Sequence, residues 1–101
     1  MSSAVMTKLA ASFGLTEEQL QEKALKSFLQ EKKREILQHR LEILARYGAT
    51  SIDDLESKIA EGHIAEHPAW EDLIIAENLT ARLEEIDAYL RDLQQAGNDR
   101  P

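Results

Sequence analysis

The residues best equipped for chemistry lie in one stretch, Gly62-His63-Ile64-Ala65-Glu66-His67-Pro68-Ala69-Trp70-Glu71-Asp72. It holds two of the three histidines, the only tryptophan and the only internal proline of the 101-residue chain. His63-Ile64-Ala65-Glu66-His67 has the form H-x-x-E-H, in which two helical histidines bind zinc and the glutamate is the base of a peptidase. That chemistry needs both imidazoles on one helical face. Gly62 precedes the motif and Pro68 follows it, and a proline pushes the residue before it out of helical geometry. The spacing then no longer aligns His63 with His67. A peptidase also needs a third ligand and a cleft, and little chain remains to build them. His63 and His67 are therefore expected to be loop or capping histidines, with a metal-dependent enzyme using His63, Glu66 and His67 as the third-ranked alternative.

Other constellations point the same way. His39 lies beside Arg40 in the middle of a helical pattern and reads as a polar-face histidine. Glu71, Asp72, Glu77, Glu84, Glu85, Asp87 and Asp92 are many carboxylates, but a di-metal bundle site pairs Glu-x-x-His motifs across helices. None occurs here, so these side chains read as a solvated face. There is no phosphate-binding glycine loop, no serine nucleophile elbow and no cysteine. The expectation is no enzyme, no cofactor and no metal.

The elements that would position these residues are helical. Val5, Met6, Leu9, Ala10 and Phe13 suit a short helix ending at Gly14, so residues 1–15 are expected to be a short N-terminal helix or a flexible segment. Thr16 followed by Gln19 is a capping box. From there a helix runs uninterrupted to Tyr47, with Gly48 as its stop. Thirty residues of helix are about 45 Å long and need a partner helix to be stable. Ser51-Ile52-Asp53-Asp54 starts a short connector helix that Gly62 ends. Pro68 suits the first turn of a third long helix reaching about Gln95, with Gly97 after it.

Leu79, Leu83, Ile86, Leu90 and Leu93 alternate spacings of four and three, a seam for a facing helix. A second stripe, Trp70, Leu73, Ile74, Ala81 and Ala88, lies on nearly the opposite side. On the preceding long helix, Ile36, Leu37, Leu41, Ile43, Leu44 and Tyr47 form an arc too wide for one neighbour. The expected fold is all-α: a long antiparallel helical hairpin over residues 16–96 with a short connector helix, dimerising into a four-helix bundle. Residues 97–101 are expected to be a disordered tail. Arg40 falls inside the apolar arc. Either its stem packs while its head reaches water, or it forms a buried ion pair with Glu77. The partner or dimer interface is expected at Tyr47, Trp70, Leu73, Ile74, Glu77, Ala81 and Ala88. Tyr47 and Trp70 would plug the end of the hairpin or anchor a partner.

Charge narrows the partner class. The chain carries a net −7, yet residues 1–47 sum to +2 and residues 48–101 to −9. An acidic second half repels phosphate, so direct nucleic-acid binding is not expected, and a basic protein is the better electrostatic match. No apolar run reaches the roughly 20 residues of a membrane span. The first eight residues lack the form of a signal peptide, and the absence of cysteine fits the cytoplasm.

Arg46-Tyr47-Gly48, Ser51-Ile52-Asp53-Asp54-Leu55 and Glu66-His67-Pro68-Ala69-Trp70-Glu71-Asp72-Leu73-Ile74 together resemble short all-helical prokaryotic proteins, some of antitoxin type and many of unknown function. In these a tyrosine–glycine turn with an acidic helix start precedes a tryptophan-led helix, over a region matching residues 36–90. The resemblance implies neutralisation of a toxin. Two readings follow for function: an acidic interaction module that neutralises a basic partner such as a toxin, or a structural homodimer with no separate partner.

Overall fold

The computed structural model describes residues 3–98. They form four helices, α1 (Ser3–Ser12), α2 (Glu17–Arg46), α3 (Ile52–Ala60) and α4 (Glu66–Asn98), with no strand among them. The fold is all-α.

Local chemistry sets most of the helix ends. At the start of α2, Thr16 Oγ1 accepts from the Gln19 amide at 3.0 Å and Gln19 Oε1 accepts from the Thr16 amide at 2.9 Å, so both halves of the capping box are made. Ser51 caps α3 by accepting from the Asp54 amide at 3.0 Å. α1, α2 and α3 all stop the same way, on Gly14, Gly48 and Gly62 with φ of 68°, 62° and 77°. In each, the residue after the glycine donates back five positions: Leu15 to Ala10, Ala49 to Leu44, His63 to Lys58. This is the Schellman closure, and it needs a left-handed residue that glycine supplies without a Cβ clash. At the start of α4, His67 has φ −112° and ψ 132°, so the continuous helix begins at Pro68, as the proline demands of its predecessor.

α2 and α4 lie antiparallel. Contacts climb α2 while descending α4: Lys33 Nζ to Asp87 Oδ1 at 2.7 Å, Arg40 Nη1 to Thr80 Oγ1 at 3.0 Å, Arg46 Nη1 to Asp72 Oδ2 at 3.1 Å. At the far end a Cβ on Gly97 would sit 3.2 Å from Glu22 Oε1. Gly97 therefore does not stop the helix, contrary to its sequence reading. It lies inside α4, where the missing side chain lets the last turn approach α2. Residues 97 and 98 are helical, and the remainder of the expected 97–101 tail lies outside the described residues, as do residues 1 and 2 of the expected N-terminal segment. α1 packs against α2 and buries Ala10.

The core sits at one end. Ile43 and Leu44 of α2, Leu55 and Ile59 of α3, and Ala69, Leu73 and Ala76 of α4 form one buried cluster. Each fully buried Leu or Ile contributes about 1.5–3 kcal/mol. Beyond this three-helix knot the hairpin is two helices thick, with only Leu83 and Ile86 of α4 buried. The shape follows: 59 × 26 × 17 Å, with a radius of gyration of 19.6 Å. A compact chain of this length would have a radius near 13 Å.

Candidate partner-docking surfaces

The turn region is held by one carboxylate. Asp72 Oδ2 accepts from the Tyr47 hydroxyl and from Arg46 Nη1. Its side chain is 13% exposed, against 56% for Arg46. The bond to Asp72 pushes the Tyr47 phenol above its ordinary range, since ionisation would break it and set two negative charges together. The end of α2 and the first turns of α4 are thus joined through a residue for which the sequence reading had assigned only a helix-start role. The sequence signal was available: Arg46-Tyr47 and Glu71-Asp72 are the two halves of the turn pattern, and here they bond to each other.

The two loop histidines are separate. His63 Nε2 lies 3.2 Å from Glu61 Oε2, and His67 Nδ1 lies 2.6 Å from Glu71 Oε1. Each imidazole has its own carboxylate. Glu71 is held below the usual carboxylate range, first by its own backbone amide and then by His67. Among the described residues no three His, Cys, Asp or Glu side chains converge as metal ligands would, and His63, Glu66 and His67 are not brought together.

The expected interface stripe divides. Leu73 is buried at 1% exposure, because α3 packs on this side of α4 and Leu73 joins the core. Tyr47 is half-buried against the same cluster. Trp70 and Ile74 remain open at 47% each. Glu77 and Ala81 are exposed and Ala88 is half-buried. Arg40 does not pair with Glu77: its guanidinium donates to Thr80 Oγ1, which itself donates to the Ala76 carbonyl. Thr80 lies on the α2-facing side of α4, within Arg40's reach, whereas Glu77 projects outward. Trp70, Glu77 and Glu84 recur every seven residues, next to the Ile74, Ala81, Ala88 row. Glu77 and Glu84 form no ion pair with any described residue. The outer face of α4 therefore presents two large apolar side chains, exposed Ala81, half-buried Ala88 and two carboxylates without an ion pair among the described residues.

A second open surface was missed by the sequence reading. On the side of the hairpin away from the Arg40–Thr80 bond, α2 and α4 border a shallow groove lined by Leu25, Phe28, Leu29, Ile36, Ile86, Tyr89 and Leu93. Leu25, Phe28 and Tyr89 are 53%, 58% and 51% exposed. Lys32 Nζ lies 5.7 Å from the centre of the Phe28 ring, a cation–π distance. Leu25, Phe28 and Leu29 sit at helical spacing in the sequence, but the apolar arc read for α2 was centred further along.

The chain belongs to the family described as "Uncharacterized protein MJ0235 family", whose model matches residues 1–98. No curated protein and no solved structure matches the chain.

Proposed function

We propose that this member of the MJ0235 family is an acidic helical interaction module that neutralises a basic partner protein, in the manner of an antitoxin, and works in the cytoplasm as a binder rather than a catalyst. One observation carries the reading: on the outer face of α4 half-exposed Trp70 and Ile74 stand beside Glu77 and Glu84, which form no ion pair with any described residue. Aromatic anchors framed by carboxylates suit recognition of a cationic, partly apolar protein surface. The likeness of the Arg46–Gly48 and Trp70–Ile74 patterns to antitoxin-type proteins supports the same class of partner. No helix among the described residues is long and apolar enough to cross a membrane.

The test is capture from the native host with wild-type protein and with a Glu77→Lys, Glu84→Lys variant, in low and high salt. A basic protein retained by the wild type, lost with the variant and released by salt is the expected result, because screening weakens contacts between exposed charges. Recovery of nothing but the chain itself at low salt would overturn the reading. The second reading is a homodimeric scaffold closing a four-helix bundle with no separate partner, and the bare groove between α2 and α4 favours it.

A further inference from the structure

We infer that the groove between α2 and α4 is the seat of a second copy of this chain, packed face to face so that two hairpins complete one four-helix bundle. The inference concerns a different surface from the outer face of α4 and stands whether or not a basic partner binds there.

Three observations carry it. The first is the width of the apolar faces. On α4, Leu79, Leu83, Ile86, Leu90 and Leu93 form the row that meets α2. Ile75 and Tyr89 extend it sideways as the apolar members of a third heptad position, with Arg82 between them. Two apolar positions per heptad serve a two-helix seam, whereas three serve a helix inside a bundle. The hairpin uses two and leaves the third half-open among the described residues, with Ile75 at 41% and Tyr89 at 51% exposure. On α2, Leu25 and Phe28 are the matching surplus.

The second is area. Ile75 to Leu93 spans about 27 Å of helix, and two packed helices are together about 20 Å wide. A patch of those dimensions, about 540 Å², is roughly two thirds of the about 800 Å² that each partner commits in a standard specific interface.

The third is charge. Copies of a chain with net −7 repel unless the contact itself is neutral. The groove is lined by two basic residues, Lys32 and Arg82, and two acidic ones, Glu85 and Asp92. Lys32 is paired with Glu35 and Arg82 with Glu85, each at 3.2 Å. This face therefore offers a basic partner no excess of negative charge, while it lets an acidic chain approach itself. In a two-fold contact the same patch serves both sides.

Sedimentation equilibrium decides the matter. Wild type at tens of micromolar should sediment as twice its 11.4 kDa mass. Phe28→Glu, at an exposed position, should raise the dimer Kd by about 100-fold or more, with helicity checked by circular dichroism. Trp70→Glu, on the other surface, should leave the dimer intact. Added salt should hold or strengthen the dimer by screening the like charges, opposite to its effect on a basic partner. The two readings thus fail separately. Should Phe28→Glu lose its helicity, Tyr89→Lys provides the same comparison. As an independent measurement, a nitroxide on Arg82→Cys should show a shorter distance between copies than one on Glu77→Cys. A monomeric wild type, a Phe28→Glu protein as dimeric as the wild type, dissociation by Trp70→Glu instead, or the reverse order of spin-label distances would overturn the inference.

Discussion

Replacing Asp72 with alanine removes the one acceptor shared by Tyr47 and Arg46, and the size of the loss can be worked from their surroundings. The Tyr47 hydroxyl donates to a carboxylate whose side chain is only 13% exposed. A hydrogen bond to a charged group contributes about 1.5–3 kcal/mol. Arg46 is 56% exposed, so its ion pair adds at most about 1 kcal/mol. Asp72→Ala should therefore cost about 2–4 kcal/mol, most of it through Tyr47. In a domain of this length each kcal/mol moves Tm by about 4–8 °C, so a drop of roughly 8–32 °C is expected. Thermal and urea denaturation at one fixed protein concentration would measure it, since self-association makes stability concentration-dependent. A double-mutant cycle isolates the cause. Tyr47→Phe and Asp72→Ala should couple by about 1–2 kcal/mol, and Arg46→Ala with Asp72→Ala by about 0.5 kcal/mol or less. The phenol adds a signature in pH. Its folded pKa lies above its unfolded one, so its contribution is fully present below about pH 10 and is lost as pH rises through the folded value. Asp72→Ala should flatten that alkaline limb. If Tyr47→Phe costs as much in the Asp72→Ala background as in the wild type, the two residues act separately and the reasoning fails.

Three further outcomes follow from the same geometry. Leu55→Ala, at a position with no exposure in the contact between α3 and its neighbours, should cost about 3 kcal/mol and raise amide exchange first in α3; exchange rising uniformly instead would mean that α3 does not dock as a separable unit. Gly48→Ala should cost about 1–2 kcal/mol from the φ of 62° alone, since an added Cβ meets nothing within 4 Å, and Gly48→Asn should cost less; equal losses would point to packing rather than backbone. Glu71, held below its ordinary range by its own amide and by His67, contributes stability that is present above the unfolded carboxyl value of about 4.3 and is lost as pH falls through the folded one, so Glu71→Gln should weaken the pH dependence on the acid side in denaturation curves between about pH 2 and pH 5.

Which parts of this arrangement could be read in the sequence depends on the range of the forces involved. The helix starts at Thr16 and Ser51 and the stops at Gly14, Gly48 and Gly62 are decided within six residues, so local chemistry specifies them whatever the rest of the chain does. The break at His67 is equally local, and with the non-helical stretch after Gly62 it takes His63 and His67 off one continuous helix. Gly97 looks like the other three stops and is not one, because its role is set by Glu22, 75 residues away in the chain and across the hairpin. Arg40 shows the same limit. A wheel places it inside the apolar arc, but only the register of α2 on α4 decides that Thr80 and not Glu77 receives its guanidinium.

The same distinction explains why the open groove escaped the sequence. A hydrophobic period reports the angle of a residue around its helix and says nothing about which neighbour stands at that angle. α4 is apolar in several directions, so its burial pattern follows from where α3 comes to rest. The turn after Gly48 brings α3 back onto the Leu73 side, where Leu55 and Ile59 convert part of the Trp70–Ala88 stripe into core. That choice leaves the opposite flank, Ile75 to Leu93, with no element among the described residues to cover it. A nine-residue connector can cover only one side of one end of a molecule 59 Å long. The connector that stabilises the turn thereby determines which apolar face remains exposed.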